Sequence, residues 1–460
     1  MTQLLDDRNI HLANFTLFAR HAPPTLPWLQ KLRRSAIARF DLVGFPGAKD
    51  EEWRFTNTAP IAQTPFVLAE HDDPAAAASL AADFTFANQA AAEIVFVNGR
   101  FSPQLSRLSS LPAGITVTSL ATALQNTPAL LEQHLARYAR IETDPFVALN
   151  TGFIRDGAFV HLARNAVVRH PIHLLFLSIP SAEPAIAHPR VLVVAEDNSQ
   201  ATIVESYAGK KETGPFSNTF FNNAVTEIVA ADNVHLDHCK LEQESPDAFH
   251  IAHMHVTLGR ECSFVSHAAS IGGKLVRNDL VVLLNGQHTD ATVNGLVVLR
   301  DSQHVDNHTI LRHEKPHCSS HELYKHVLDN RSTCVFKGKI FVQKDAQKTD
   351  SKQTSKSLLL SDEATMNAMP ALEIYADDVK CTHGSTTGPV DEDMIFYLRS
   401  RGVPREAARH LLTYAFAADI TRRIKVEPVR RRLEDFMAAQ HGLPQDLRIT
   451  DLGSHDQAAL

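Results

Sequence analysis

Hydrophobic and polar residues alternate with a period of two between residues 170 and 374. One such segment, residues 251–258, reads IAHMHVTL. Because successive side chains of a β-strand point to opposite faces, this alternation predicts a series of short strands. No helical pattern interrupts the series for roughly 200 residues, which excludes a sheet built from β–α–β units.

Polar turn residues separate the predicted strands. They stand at Asp197-Asn198, Asp232-Asn233, Gly259, Asn285-Gly286 and Asp301-Ser302. A sandwich, a barrel and a β-solenoid are all compatible with many short strands. Asn-Gly, the dipeptide typical of tight hairpins, occurs only at 98–99, 285–286 and 294–295. The scarcity of hairpins favours the solenoid, in which each coil stacks on the one before it.

The pattern becomes helical on both sides of this region. Near the N-terminus, Pro27 opens a predicted helix whose apolar residues recur every three to four positions until Gly44. After residue 388, three more helices are predicted, with starts at Asp391, Pro404 and Pro428. Helices are therefore expected before and after the solenoid.

The sequence thus divides into three regions. Residues 1–110 form a helical or mixed N-terminal region, residues 111–388 the β-helix core and residues 389–460 a C-terminal helical module. An apolar face of this module includes Leu412 and Phe416 and is too broad for so small a unit to bury alone. We expect this face to dock on the end of the solenoid or on another protein.

The composition indicates a folded protein of a reducing compartment. A net charge of −7 at pH 7 leaves no basic surplus for binding nucleic acid. The five cysteines are scattered and form no CxxC pair, which suits a reducing cytosol. No apolar run reaches the roughly 18 residues of a membrane span, and the first residues lack the apolar stretch of a signal peptide. We therefore expect a cytoplasmic protein with neither nucleic-acid nor membrane partners.

The most distinctive chemistry lies at Cys381 and His383, just before a Gly/Ser/Thr turn. Residues two apart on a strand share a face, so a thiol and an imidazole would stand side by side. Such a pair can bind iron, copper or zinc, and the neighbouring Lys380 is expected to lower the pKa of the thiol. Two ligands do not complete a four-ligand site. Either a second chain completes the site, or the pair holds no metal.

A second group of candidate ligands is the histidine-rich stretch from residue 304 to residue 326. It contains His304, His308, His313, His317, Cys318, His321 and His326. These are the residue types of a zinc site, but on strands of period two they fall on different faces. We therefore favour structural histidines over a metal site. Cys239, Cys262 and Cys334 lie in apolar alternation and are expected to be small buried residues.

Motifs of catalysis and of nucleotide binding are missing from the sequence. The chain lacks GxSxG, the Walker A sequence, GxGxxG after a strand and HExxH. A polysaccharide lyase or hydrolase on a β-helix would need clustered charged residues along a groove, and no paired-carboxylate motif stands out. A stand-alone zinc or redox-sensing protein is the other alternative. We expect a protein that is not an enzyme and binds no nucleotide.

Residues 304–388 resemble the SufD branch of the SufB/SufD family of iron–sulfur cluster assembly scaffolds. The resemblance rests on HVDNHT at 304–309, ELYK at 322–325, VFKGKI at 335–340, LLLS at 358–361 and PALEIYADDVKCTHG at 370–384. Weaker similarity covers GFPGAKDEEWRFT at 44–56 and residues 399–417. SufB-like chains carry a cysteine in the polar run before the apolar triplet, where this chain has Thr354, Ser355 and Lys356. The SufD branch therefore fits better.

This resemblance implies a right-handed parallel β-helix core flanked by N- and C-terminal helical modules. It also implies a scaffold that pairs with a SufB-like paralogue and binds a SufC-like ATPase through its C-terminal helices, where Leu412 and Phe416 are the candidate contacts. A nascent iron–sulfur cluster would form between the two scaffolds. His383 would share it transiently with a partner cysteine, and Cys381 is an additional candidate ligand. Without its partner, the chain is expected to hold no stable cluster and to form a homodimer.

Overall fold

Strands dominate the computed structural model, which describes residues 8–21, 26–69, 73–108, 111–210 and 218–440. The helices are α1 (Arg8–His21), α2 (Pro27–Val43), α3 (Ala59–Ala62), α4 (Pro74–Phe84), α5 (Leu120–Asn126), α6 (Pro128–His134), α7 (Pro145–Gly152), α8 (Glu392–Ser400), α9 (Arg405–Thr421) and α10 (Glu427–Gln440). The strands are β1 (Val67–Leu68), β2 (Ala92–Val97), β3 (Arg100–Phe101), β4 (Ile115–Ser119), β5 (Gly157–Leu162), β6 (Ile172–Ser178), β7 (Ala185–Ala187), β8 (Arg190–Ala195), β9 (Gln200–Gly209), β10 (Phe220–Ala230), β11 (His235–Gln243), β12 (Phe249–Leu258), β13 (Ser263–Ser270), β14 (Leu275–Leu284), β15 (Asp290–Leu299), β16 (His304–His313), β17 (Ser319–Leu328), β18 (Thr333–Val342), β19 (Asp350–Leu359), β20 (Thr365–Ala368), β21 (Ala371–Ile374) and β22 (Lys380–Pro389). Helices α1–α7 precede β5, and α8–α10 follow β22.

From β8 to β20, consecutive strands alternate between two stacked sheets. The first sheet has the order β4-β5-β8-β10-β12-β14-β16-β18-β20, with β21 also beside β18, and the second has the order β3-β2-β6-β9-β11-β13-β15-β17-β19-β22. From β8 and β6 onwards, neighbouring strands are parallel and in continuous register; Ala291, for example, pairs with Ser320, which pairs with Ser351. A chain that alternates in this way winds as a β-solenoid. The predicted β-helix core between helical modules is therefore confirmed.

The coils turn at residues with a left-handed backbone conformation. Asn198, Asn233 and Asp301 have φ angles of 61°, 56° and 53°. Asn and Asp tolerate this region better than other non-glycine residues, because their short polar side chains bond locally. The asparagines also form a ladder, since Asn233 Nδ2 donates to Asn198 Oδ1 and Asn198 Nδ2 donates to Asn165 Oδ1, both at 2.9 Å. The turns predicted at these positions are confirmed.

The interior of the first and middle coils holds a large apolar cluster, beside buried polar residues such as Glu205 and His238. Ile203, Leu236 and Phe264 of the second sheet belong to one buried cluster with Val256 and Val282 of the first. Burial of such side chains is the main favourable term in folding, at about 25 cal/mol per Å² of apolar surface. The solenoid is therefore held together by contacts between its two sheets as well as by the strand ladders.

The outer face of the second sheet is covered by α4, α9 and α10. Tyr414, Ala417 and Ile420 of α9 pack in one apolar cluster with Cys239 and Leu296 of the sheet. The C-terminal module thus docks on the side of the solenoid, and the expectation that it docks on the end is wrong. The reason is that outward-facing residues of this sheet, such as Cys239, Leu241 and Leu296, are also apolar, so this face needs a cover.

The N-terminal helices cover the outer face of the first coils. Leu29 of α2, Leu120 of α5 and Leu131 of α6 pack on Phe159 and Leu192 of the first sheet. The early strand β2 pairs in parallel with β6 and so extends the second sheet. The outermost parts of the predicted terminal regions, residues 1–7 and 441–460, lie outside the described residues. Among the residues described, no helix has the length and apolar character that crossing a membrane requires.

Candidate functional site at the C-terminal end of the solenoid

The pair of Cys381 and His383 lies on β22, the last strand of the second sheet in the described part of the chain. Its neighbour is β19, which places Ser351 beside Cys381 and Gln353 beside His383. Ser351 and Gln353 are buried on the inward face of the solenoid. Because register partners in a parallel ladder point the same way, Cys381 and His383 also face inward. The thiol and the imidazole therefore share one face at the mouth of the solenoid.

The two side chains differ in exposure and in what surrounds them. His383 is exposed, whereas Cys381 is half-buried beside Leu372 and Val379. Burial, together with the nearby Asp350 carboxylate, raises the pKa of the Cys381 thiol. The expectation that Lys380 lowers this pKa is wrong, because Lys380 is solvent-exposed and adjacent strand residues point to opposite faces. The thiol is therefore protonated near neutral pH.

A hydrogen-bonded series of buried side chains lies beneath Cys381. Ser351 Oγ is 2.6 Å from Ser320 Oγ, which is 2.9 Å from His313 Nε2. All three residues are buried, and burial lowers the pKa of His313 to about 4. The imidazole is therefore neutral and is a structural partner for the serines, two coils below the mouth.

A second buried pair lies beneath His383. Gln353 Nε2 donates to Glu322 Oε2 at 2.6 Å, one coil further in. Burial raises the pKa of Glu322 to about 7. Sequence reasoning missed this polar interior because residues 350–357, DSKQTSKS, are polar on both faces of the strand. The available signal was the alternation of the small or uncharged Ser351, Gln353 and Ser355 with long lysines.

The histidine-rich stretch does not form one site. His308 lies outside the first sheet beside Asp306, His313 and His326 are buried inside the solenoid, and His317 stacks on His288 with ring centroids 5.0 Å apart. In the described ranges, no three His, Cys, Asp or Glu side chains are grouped as a metal site requires. These histidines therefore act as structural side chains. The predicted burial of Cys239, Cys262 and Cys334 is confirmed.

Comparison with known proteins assigns this architecture to a family. The model for the SUF system FeS cluster assembly SufBD core domain matches residues 178–416, more than half of the chain, and the SufBD N-terminal region matches residues 16–174. The chain belongs to the SufBD family. An iron–sulfur cluster assembly SufBD family protein of Synechocystis is 35% identical over 87% of this chain and 89% of its own length. The iron–sulfur cluster assembly protein SufD of Escherichia coli is 30% identical over 90% of this chain and 92% of its own, and SufD of Bacillus subtilis is 25% identical over 90% and 94%.

A buried arginine joins two segments of this SufBD chain that are far apart in sequence. Arg277 on β14 donates from Nε and Nη2 to the two carboxylate oxygens of Asp279, both at 2.8 Å, and from Nη1 to Asp306 at 2.9 Å. Nη1 also donates to the backbone oxygen of Glu52 at 2.6 Å, and the guanidinium lies 3.8 Å from the centre of the Trp53 ring. The GFPGAKDEEWRFT segment is thus fastened to the outside of the first sheet.

The HVDNHT segment, which contributes to the family resemblance, takes part in the same group of contacts. His308 Nε2 lies 2.9 Å from Asp306 Oδ1, and Thr56 Oγ1 donates to Asp306 Oδ2 at 2.5 Å. The sequence offered no signal for this cluster, because Arg277 and Glu52 are 225 residues apart. In this chain these two segments therefore hold the N-terminal region on the solenoid.

The two residues predicted to contact an ATPase lie against this chain's own residues. Phe416 is half-buried, with the Lys325 ammonium 4.4 Å from its ring centre. Leu412 packs beside a small apolar cluster around Ile395 and Ala408. Larger exposed apolar side chains lie on α8. They are Met394, Phe396 and Tyr397, with 46%, 70% and 50% of their surface exposed.

Proposed function

We propose that this chain is the SufD-type scaffold of an iron–sulfur cluster assembly complex. It pairs with a SufB-like scaffold at the mouth of its solenoid, and the nascent cluster forms between the two chains beside His383. The cluster is cargo, and the isolated chain retains none. The chain catalyses no reaction by itself and works in the cytoplasm. The observation that carries the proposal is the exposed imidazole of His383, inward-facing on the last coil and two residues from Cys381.

The same end of the solenoid offers a partner chain an unpaired sheet edge. Within the described residues, β22 pairs with β19 alone, and β20 and β21 pair with β18 alone. Edge strands readily pair with strands of another chain. Ile374 and Tyr375, which are 37% and 59% exposed, add apolar surface beside that edge. A second solenoid docked here would bring its own side chains opposite His383.

The ligand chemistry divides between the two chains in this scheme. A neutral imidazole is a suitable iron ligand, whereas a cysteine binds metal only as a thiolate. Because the Cys381 thiol has a raised pKa, we assign the principal sulfur ligand to a cysteine of the partner and the nitrogen ligand to His383. Cys381 is a secondary ligand, bound once incoming metal displaces its proton.

The pairing itself has a direct test. Purified alone, the chain is expected to sediment as a homodimer, because its sheet edge remains available for a second copy. Addition of a SufB-like scaffold should convert this homodimer into a heterodimer, and a SufC-like ATPase should then join it. Analytical ultracentrifugation measures these species. A stable monomer that ignores the SufB-like chain would contradict the proposal.

We place the ATPase contact on α8 instead of on Leu412 and Phe416. The apolar side chains of α8 are exposed, and interface hot spots are few, large and often aromatic. Leu412 packs within the module and Phe416 packs against the solenoid, so their substitution would disturb the packing or docking of the module and lower ATPase binding indirectly. The family resemblance supports the same module as the ATPase-binding part of the chain.

Phe396→Asp is expected to weaken binding of a SufC-like ATPase by about 30-fold. A hot-spot residue contributes roughly 2 kcal/mol to binding, and burial of the new carboxylate in the interface would cost desolvation free energy. Leu42→Asp is the matched control, since Leu42 is 74% exposed on the distant helix α2. Titration calorimetry gives both dissociation constants. Equal affinities for the two variants would show that α8 is not part of the interface.

A further inference from the structure

The amide of Gln353 has a fixed orientation inside the solenoid. Its Nε2 donates to Glu322 Oε2 at 2.6 Å, which identifies the nitrogen side of the amide. The carbonyl oxygen, Oε1, is buried and accepts no hydrogen bond within the described residues. A buried acceptor without a donor lowers the stability of the fold by about 1–3 kcal/mol. We therefore expect a hydrogen-bond donor for this oxygen.

The space around the amide is also fixed from the opposite sheet. Gly338 of β18 faces Gln353, and a Cβ at this glycine would lie 2.2 Å from Gln353 Nε2 and 2.8 Å from Phe336. The amide therefore occupies volume that only a residue without a side chain leaves open. Glu322 from below and Gly338 from across together hold the amide in one place.

The neighbour of Gln353 towards the mouth of the solenoid is His383. The two residues are register partners on β19 and β22, and both point inward. Neighbouring strands lie about 4.8 Å apart, which is within reach of two long side chains. A histidine ring carries an N–H donor, and the buried Gln353 Oε1 is an acceptor that needs one.

We propose that Gln353 is a positioning residue for His383: its Oε1 accepts the Nδ1–H of the imidazole and thereby directs the unprotonated Nε2 out of the solenoid mouth. Nδ1 is the ring nitrogen nearer the strand, so it is the one that can reach the neighbouring side chain. Glu322 acts one step further away by fixing which end of the Gln353 amide faces His383. The orientation stands independently, whereas its use for binding iron rests on the proposed function.

Such an arrangement is what a metal-binding histidine requires. The hydrogen bond made by one ring nitrogen selects the tautomer, and the other nitrogen then presents its lone pair to the metal. Loss of such a partner typically weakens metal binding or activity by 10- to 100-fold. His383 would thus be ready to accept iron before a cluster arrives.

Four variants separate orientation from simple packing. Gln353→Met removes the acceptor at similar length, and Glu322→Leu releases the amide so that it can flip. Glu322→Gln keeps a carbonyl that accepts from Gln353 Nε2, so it should preserve the wild-type state. Ser357→Ala is the control, because Ser357 is a buried inward residue of the same strand that contacts His326 instead.

The tautomer of His383 is measured on the full-length isolated chain labelled with ¹⁵N-histidine, in long-range ¹H–¹⁵N spectra. The His383 signals are those that disappear in His383→Ala. Wild type, Glu322→Gln and Ser357→Ala should show the Nδ1–H tautomer, whereas Gln353→Met and Glu322→Leu should show both tautomers in exchange. His383 signals in Gln353→Met that match the wild type, or a wild-type ring without a fixed Nδ1–H, would overturn the proposal.

Iron loading of the complex with the SufB-like and SufC-like partners separates this inference from the proposed function. We expect Gln353→Met to load iron about 10-fold more slowly than wild type, and Glu322→Gln to load iron at the wild-type rate. Normal loading by His383→Ala would refute the proposed function while the spectra still decide the tautomer. If Gln353→Met loads iron normally while His383→Ala does not, the positioning role alone is refuted.

Discussion

His383→Ala is expected to lower the iron and acid-labile sulfide of the assembled complex by at least about tenfold. Even the loss of a residue that only hydrogen-bonds to a metal ligand typically lowers metal affinity or activity by 10- to 100-fold. The imidazole of His383 is exposed to solvent and is not part of the packed core in the described part of the chain. The substitution removes one hydrogen bond, to Gln353, so it should lower stability only by about 1–3 kcal/mol. Cluster content should therefore collapse while the protein stays folded and the subunit composition stays that of the wild type.

Two neighbouring substitutions serve as controls for His383→Ala. Thr382→Ala changes an exposed residue of the same strand that points to the opposite face, and it should load normally. Cys381→Ser should lose less cluster than His383→Ala, because the partner's thiolate is the principal sulfur ligand in our scheme. If both Cys381→Ser and His383→Ala lowered stability and left cluster content unchanged, the pair would be purely structural.

Arg277→Met is expected to destabilise the protein by about 3–5 kcal/mol, since it leaves buried carboxylates without their counter-ion. Burial alone would raise the pKa values of Asp279 and Asp306. The arginine charge holds the pKa of Asp279 below its usual range, and the hydrogen bond with His308 together with the arginine charge does the same for Asp306. The substitution also removes the contact between the guanidinium and the Trp53 ring, whose centre lies 3.8 Å away. Urea unfolding followed by tryptophan fluorescence reports both the free energy and the release of the N-terminal segment.

Arg312→Met is the matched control for this prediction. Arg312 is 39% exposed and pairs with Glu314 at 3.0 Å, so its loss should cost at most about 1 kcal/mol. Both variants remove one positive charge from a strand of the first sheet. Equal unfolding free energies for the two would mean that the cluster around Arg277 does not hold the N-terminal segment in place.

Local chemistry explains which parts of the fold could be predicted from the sequence. Turn residues such as Asn198 and Asn233 act through their own backbone preference, so they can be recognised one at a time. Period-two alternation likewise identifies strands without knowledge of their neighbours. The shared face of Cys381 and His383 follows from the same rule, because only the spacing of two residues is needed.

The parts that escaped prediction depend on contacts between distant residues. The inward position of Gln353 is decided by which coil lies below it, and a strand that is polar on both faces gives no indication of its inner side. The contacts of Arg277 with Glu52 bridge 225 residues. The raised pKa of Cys381 depends on its burial and on the Asp350 carboxylate, which lies on the neighbouring coil. The composition of one segment carries none of this information.

The most direct test of a cluster built beside His383 is the detection of nitrogen coordination from this chain. The complex is assembled anaerobically with ¹⁵N-histidine in this subunit alone, its cluster is reduced to a paramagnetic state, and nitrogen hyperfine coupling is measured by pulsed electron paramagnetic resonance. We predict a ¹⁵N coupling of a directly bound imidazole in the wild-type complex. A fully loaded cluster without that coupling would contradict the assignment of His383 as its ligand.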